Sequence, residues 1–419
     1  MRLRCISCGR VADTSDGFIC PCGGLVEVEH DFPEVSLELF DQRLGIVEEP
    51  YSSGVWRYLE LVHPEINPDK VVTRPEGNTN LYSRRMVSEY TGLEDLLMKH
   101  EGENPTGSFK DRGMTVAVSE AVRSGALTVA CASTGNTSAS MAAYAAQAGL
   151  KAVVFVPEGE ISRGKLAQAL AYGAKVIQVK GHFDDAMRII KESSRKLGLY
   201  VLNSLNPWRI EGQKSIVFEA LQQMRWSPPD WIVVPAGNLG NTSAFGKALK
   251  ELRRLGLIDD LPRIASIQAE GANPFYRLWR GKQGHLEPVE PRTIASAIQI
   301  GNPVSWVKAL ESIRFTNGEV EQVSDMEILD AKAIVDASGV GCEPASAASV
   351  AGAKKLVERG VIDADEKVLC ILTGNILKDP DTTVRYHMCE LPIEAMRANK
   401  LVTVEPDIGS IEKALSGKT

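Results

Sequence analysis

The chain has 419 residues, 44% hydrophobic and 24% charged, enough apolar side chain for two or three ordinary globular domains. With 47 basic residues against 54 acidic ones, a net charge of -7, it lacks the broad cationic face of a nucleic-acid binder but leaves room for a local basic pocket. No apolar run approaches the roughly 18 residues that span a bilayer, and MRLRCISCGR lacks the apolar segment of a secretory signal. A cytoplasmic protein with neither a nucleic-acid nor a membrane partner is expected.

Residues 1–30 carry Cys5-x-x-Cys8-Gly and Cys20-x-Cys22-Gly-Gly, half of the eight cysteines. Glycine after each pair lets backbone amides turn toward the sulfurs, and four thiolates suit a tetrahedral structural zinc with no open catalytic position. The second pair is one residue shorter than the common spacing, so a metal-free hairpin stands as the alternative to a zinc ribbon. Cys131, Cys342, Cys370 and Cys389 lie in apolar stretches and read as small, buried, reduced hydrophobes. The strand-like LVEVEH closes this knuckle module. Residues 31–70 are acidic and punctuated by proline, with helical pieces at SLELFDQRL and GVWRYLELV; they read as an arm packed on the main body.

From about residue 92, short β-branched runs alternate with alanine-rich amphipathic helices. Strands are predicted at 96–100, 128–133, 151–157, 174–180, 200–204, 230–237, 263–269 and 367–374. Helices fall between them at 113–125, 137–149, 161–173 and 183–198, several ending on glycine as a C′ position should. This alternation specifies an α/β protein with parallel sheets. Ligands of open parallel sheets bind at the carboxyl ends of strands, and four loops placed there concentrate glycine and polar residues.

The first loop runs Asn104-Pro105-Thr106-Gly107-Ser108-Phe109-Lys110-Asp111. Lys110 falls in the first turn of the following helix, where the dipole and partial desolvation disfavour its ammonium form; that is one way to a nucleophilic amine for a Schiff base. A surface lysine paired with Asp111 fits these residues equally well. The second loop, Ser133-Thr134-Gly135-Asn136-Thr137-Ser138, offers hydroxyls and amides at a helix N-terminus, a carboxylate or phosphate cradle richer than plain capping needs. The third, Gly237-Asn238-Leu239-Gly240-Asn241-Thr242, lets backbone N–H groups close on a phosphate. It lacks the Lys-Ser/Thr of a P-loop and the third glycine of a dinucleotide fingerprint, so a phosphorylated cofactor other than a nucleotide fits better. The fourth is Thr373-Gly374-Asn375, with Lys378-Asp379-Pro380 just after. Gly339-x-Gly341 follows a helical pattern, not a strand, and is no dinucleotide site. None of the six histidines falls in a motif, and none is expected to be catalytic.

In order and content these loops resemble the threonine synthases, of the fold-type-II family of pyridoxal-phosphate-dependent enzymes. The resemblance covers residues from about 70 to 385 through EGNTNLY (76–82), ENPTGSFKDRG (103–113), STGNTSAS (133–140), LNSLNPWRIEGQKS (202–215), PAGNLGNTSA (235–244), IQIGNPVSW (298–306) and LTGNILKDP (372–380). IGNPVSW beside NPWRIEGQKS favours the synthases over threonine dehydratase or cysteine synthase, which share the lysine, asparagine and glycine loops. GVWRYLELV and the cysteine-rich start are similar to such synthases as well.

The resemblance implies two open, mainly parallel-sheet lobes of the tryptophan synthase β type behind the N-terminal cysteine-knuckle module. Its expected division is 1–30 for the module, 31–114 for the arm and the first part of a large cofactor domain, 115–205 for a small mobile lobe, and 206–419 for the rest with the C-terminal tail. Lys110 is implied as the residue that holds pyridoxal phosphate and shuttles protons. Asn136 would bond the cofactor's 3′ oxygen, Gly237, Asn238, Leu239, Gly240, Asn241 and Thr242 its phosphate, and Thr373 would face its ring nitrogen. Thr79, Ser133 and Thr134 look like the clamp for the substrate carboxylate, although Asn80 stands where the family more often has proline. Arg163, Lys165 and Arg209, with Asn203 as a neutral donor, are the candidates for a substrate phosphate. The implied reaction is conversion of O-phospho-L-homoserine and water to L-threonine and phosphate, the last step of threonine biosynthesis, by a lyase working as a homodimer on a small-molecule substrate. Two other readings compete: threonine dehydratase or a cysteate-synthase-like replacement on the same scaffold, and a non-catalytic zinc-knuckle binding protein. Retention of Lys110, Asn136, the Gly237–Thr242 loop and Thr373 argues against the last.

Overall fold

The computed structural model describes residues 1–12, 18–158, 163–180, 196–281 and 284–416, and the side chains of 163–165 lie outside that description. Three sheets organise the chain. The first is antiparallel, in the order β2-β1-β3, from β1 (Arg2–Cys5), β2 (Val11–Ala12) and β3 (Val26–Glu29).

The second has six strands in the order β12-β11-β10-β13-β5-β4: β12 (Glu319–Val323), β11 (Arg263–Ala269), β10 (Trp231–Pro235), β13 (Val368–Leu372), β5 (Leu96–His100) and β4 (Leu81–Tyr82). All its pairings are parallel except the short edge pair β4–β5. The third, wholly parallel, runs β8-β7-β6-β9 from β8 (Lys175–Val179), β7 (Lys151–Pro157), β6 (Thr128–Ala132) and β9 (Leu199–Val201).

Every strand expected from the sequence is present, with ends moved by up to about three residues, as helix–strand boundaries usually are. β10 and β13 read WIVVP and VLCIL and are buried along their whole length, because helices cover both faces of a central parallel strand. β12, EVEQV, was not expected: it forms the outer edge beside β11, and three of its five residues are polar, so it leaves no apolar run. The helix expected at 183–198 falls almost entirely outside the described residues. Cys131, Cys342 and Cys370 are buried as expected, but Cys389 is exposed, because it sits just past the Pro380–His387 helix in a left-handed turn.

One helix ties these parts together. Pro207–Gln223 is buried along nearly its full length. At Gly212 it crosses the Lys110–Arg123 helix so closely that an added Cβ would come within 1.8 Å of the Arg112 carbonyl oxygen. Backbone-to-backbone contact at that point brings together the helix starts that carry Lys110 and Arg209. The lysine loop is also stitched to the end of β13. Phe109 N–H donates to Thr373 O at 3.0 Å, and Asn375 N–H donates to Gly107 O at 2.9 Å.

The cysteine module docks on the body through a buried polar seam. Lys247 Nζ donates to Val28 O and, at 2.5 Å, to Glu211 Oε1. His30 Nε2 lies 2.9 Å from Glu211 Oε2, and Lys308 Nζ donates to Val26 O at 3.4 Å. The arm adds apolar weight: Phe40, Trp56, Tyr58 and Leu61 are fully buried, and Trp56 Nε1 donates to Thr115 Oγ1 at 2.7 Å. Among the described residues no helix is long and apolar enough to cross a membrane.

Candidate active site

The carboxyl ends of β6, β10 and β13 open onto one cavity of about 270 Å³ between the two parallel sheets. Lys110 enters it from the first turn of its helix, half-buried because it faces the cavity. Its Nζ sits 3.9 Å from the centre of the Phe109 ring. Desolvation, then the nearby Arg209 guanidinium, lower the amine to about 7, with Glu343 pulling the other way. A lysine so placed is an available nucleophile and base near neutral pH.

Opposite, β10 leads into Gly237–Thr242. Leu239 takes a left-handed φ of 64° before the Gly240–Arg254 helix begins. The first N–H groups of a helix have no acceptor within it, so Gly240, Asn241 and Thr242 present amides at this end. At Gly237 an added Cβ would come 3.1 Å from Ile298 Cα, a tight contact that the Ile298 segment would have to yield to. Asn241 Oδ1 is buried with no hydrogen-bond partner. Thr373, nearly buried, lines the cavity and shares a hydrogen bond of 3.1 Å with Ser346 Oγ.

The described structure thus brings Lys110, Asn136, Gly237, Asn238, Leu239, Gly240 and Asn241 to one cavity, with Thr373, Ser133, Thr134, Asn203 and Arg209. Thr242 lies behind the wall, its hydroxyl 2.9 Å from Ser266 Oγ, so it can offer only its amide. Asn203 is committed to β6: it accepts from Ala132 N–H at 3.0 Å and donates to Ala132 O at 2.9 Å. Thr79 is not brought to the cavity. Its hydroxyl donates to Glu101 at 2.8 Å and accepts from Arg112 at 3.2 Å, inside a buried charge network. The side chains of Arg163 and Lys165 lie outside the described residues. None of the described histidines lines the cavity.

Sequence reasoning missed Glu343, Ser204 and Gln213, all on the cavity wall. Ser204 adjoins Asn203 in a motif and could have been read with it. Glu343 directly precedes a proline at the first helical position, a pattern that signals capping.

A cavity-facing amine near neutrality, a row of helix-start amides opposite it with the buried, unpartnered Asn241 Oδ1, and a neutral hydroxyl beside them fit pyridoxal phosphate. The pyridoxal-phosphate dependent enzyme family matches residues 72–374. The threonine synthase of Methanocaldococcus jannaschii is 48% identical over 94% of this chain and 97% of its own. That of Methanosarcina acetivorans is 45% identical over 99% of each. Among solved structures, threonine synthase from Escherichia coli superimposes with a TM-score of 0.69 over the whole of both chains at 21% identity, a likeness of fold. The fold and site are those of a fold-type-II pyridoxal-phosphate enzyme. Within that class, the chain belongs to the threonine synthase family.

Outside the cavity, the four N-terminal cysteines converge, their ligand atoms all within 4.8 Å of one another. Measured Sγ separations are 3.5 Å for Cys5–Cys22, 3.7 Å for Cys8–Cys20 and 3.5 Å for Cys8–Cys22. A tetrahedral ion with Zn–S bonds of about 2.3 Å requires edges of roughly 3.8 Å, so the thiols fit such an ion.

Proposed function

We propose that this chain converts O-phospho-L-homoserine and water to L-threonine and phosphate, with the site residues acting as follows. Lys110 would hold pyridoxal phosphate, the Gly237–Thr242 amides its phosphate and Asn136 its 3′ oxygen, with Thr373 facing its ring nitrogen, and the cofactor would supply a sink for carbanion charge. The Lys110 amine removes the α-proton and then the β-proton, and finally returns a proton to the α-carbon. The hydroxyls of Ser133 and Thr134, with the amides at the start of the Asn136–Gln147 helix, orient the substrate carboxylate. Phosphate leaves from the γ-carbon and water adds at the β-carbon. The small lobe, taken as 115–205, closes over the substrate and keeps bulk water out.

One observation carries the choice of substrate. Arg209 is buried and lines the cavity; among the described residues its Nη1 donates to Leu202 O at 3.2 Å and its Nε has no partner. Among the described residues it has no acidic partner within salt-bridge distance, and burial lowers it to about 10. A buried cation left uncompensated awaits an anion. With the amide cradle taken by the cofactor's phosphate and the Ser133–Thr137 loop by a carboxylate, a phosphorylated amino acid supplies it, which threonine as a dehydratase substrate does not.

The test is product analysis with O-phospho-L-homoserine. Threonine and phosphate in equal amounts support the reading. Ketoacid from threonine, or sulfite-dependent phosphate release from phosphoserine, would transfer it to one of the other reactions. Arg209→Gln should raise KM for the phosphorylated substrate about 30-fold or more, the worth of a charged hydrogen bond. It should keep cofactor affinity and, having removed an unpaired buried charge, lose no thermal stability. Unchanged KM would remove Arg209 from the substrate site.

The same proposal takes the enzyme to be a cytoplasmic homodimer and Cys5, Cys8, Cys20 and Cys22 to hold a structural zinc. Metal analysis of protein prepared without chelators should find about one zinc per chain. Cys8→Ser should release it and lower the thermal midpoint. Metal-free protein whose Cys8→Ser variant melts unchanged would leave the module as a plain hairpin.

A further inference from the structure

Among the described residues two carboxyl groups line the cavity, and the fold accounts for one of them. Asp379 Oδ1 accepts from Thr382 N–H at 3.3 Å and so caps the helix that follows. Glu343 stands in the corresponding place before the Pro344–Glu358 helix but makes no cap hydrogen bond. Its carboxyl turns into the cavity instead, where Asn136 Nδ2 donates to its two oxygens at 3.2 and 3.1 Å. It is 4% exposed, and no described basic side chain lies within salt-bridge distance. Room for it exists because residue 374 is glycine: a Cβ there would come 2.4 Å from Glu343 Oε1. The charged groups that face it are Lys110, Lys378 and Asp379, and desolvation raises its proton affinity. A nearly buried carboxyl with no counter-ion, facing the same cavity as the reactive lysine, is expected where a proton is handled.

The reaction proposed above has a need that such a group meets. Lys110 Nζ can hold one extra proton at a time. Having taken the α-proton it is an ammonium and cannot accept the β-proton until it is discharged. We propose that Glu343 is a proton-relay residue that receives the first proton from Lys110 across the cavity, through one intervening water molecule, and later hands it back by the same route. The sequence balances. The α-proton passes to Nζ and on, through the intervening water, to a Glu343 oxygen, and Nζ then takes the β-proton. The γ-carbon–oxygen bond breaks with its electron pair leaving on phosphate, and Nζ protonates the γ-carbon. Water adds at the β-carbon with its proton going to phosphate, and Glu343 returns its proton through Nζ to the α-carbon. Glu343 works through Lys110 and need not touch the substrate.

This inference rests on the threonine synthase reading, and the experiment separates the two. The holoenzyme and Glu343→Gln are incubated in D2O with L-2-aminobutyrate, and α- and β-hydrogen exchange are followed by proton NMR; phosphate release from O-phospho-L-homoserine is measured alongside. Glutamine keeps the contact with Asn136, so the cofactor's visible spectrum and affinity should stay within about threefold. Exchange at the α-carbon should survive within about tenfold, while β-exchange and phosphate release fall about a hundredfold or more. Glu343→Asp should recover part of the loss. Gly374→Ala, which leaves Glu343 in place but crowds its carboxyl, should show the same selective defect. Loss of α- and β-exchange in equal proportion, or phosphate release within threefold of the parent, overturns the relay. A parent that exchanges both hydrogens yet makes no threonine overturns the substrate reading and leaves the relay standing.

Discussion

Lys110→Ala is expected to leave a folded, colourless protein whose threonine formation has fallen about a thousandfold or more, because the variant has lost both the amine that holds the cofactor and the base that moves protons. Lys110→Arg is the informative companion: it keeps a cation at the helix start but cannot condense with an aldehyde, and should be as inactive. The environment that lowers this amine to about 7 also fixes a pH dependence. The free amine is the reactive form, so capture of cofactor by the apoprotein should speed up about tenfold per pH unit below 7 and level off above it. In the unfolded chain the same lysine keeps its proton to about pH 10.4. The unfolded state therefore binds more protons between those values, and the apoprotein should gain stability as pH rises through that window. A capture rate that climbs steadily to pH 10 would show an ordinary solvated lysine and overturn the geometry argued here.

Glu219→Leu should be the most damaging single change to the fold, costing about 3–5 kcal/mol, the usual penalty for breaking a buried ion network from one side. Glu219 Oε1 accepts from Lys99 Nζ at 2.6 Å and from Arg112 Nη2 at 2.7 Å, and Arg112 Nε also donates to Glu101 Oε2 at 2.6 Å. All four side chains are 1% exposed or less. Against the desolvation that would protonate it, Arg112 and then Lys99 hold the Glu219 carboxyl well below the usual carboxylate range. Removing that charge leaves two buried cations facing one carboxylate. Glu219 also accepts from the backbone N–H groups of Asn78 and Thr79 at 2.7 and 3.1 Å, so the EGNTN segment would lose its anchor too. Chemical denaturation of the apoprotein measures the effect. A midpoint shift corresponding to less than about 1 kcal/mol would mean that the network relaxes far more readily than its burial implies.

The parallel-sheet architecture was legible because buried strands leave continuous apolar runs and helices leave a periodic stripe. The glycine loops were legible for a related reason: polar residues cluster where a strand ends in a cavity. Contacts between distant segments were not. Thr79 reads as a free hydroxyl in its own motif, and only the folding together of Glu101, Arg112 and Glu219 commits it elsewhere. Glu343 goes unmarked in its own segment, and only Gly374, more than thirty residues on, makes room for its carboxyl in the cavity. Arg209 could be named from its motif, but its lack of a counter-charge is a property of the whole buried neighbourhood.

The seam beneath the cysteine module has a consequence for how separable the parts of this chain are. Read along the sequence, residues 1–30 look like a cassette that could be removed or exchanged. Read in space, they supply the carbonyls of Val26 and Val28 and the imidazole of His30 to Lys308, Lys247 and Glu211. Excision would uncover those three side chains and remove the partners that the module supplies, leaving Lys247 and Glu211 only their ion pairs within the body. Glu211 also lies two residues from Arg209 on the same helix, so the disturbance would reach the cavity through a single turn. A shortened enzyme would need new surface residues along that helix before it could stand alone, and a transplanted module would have to bring its own acceptors for two lysines.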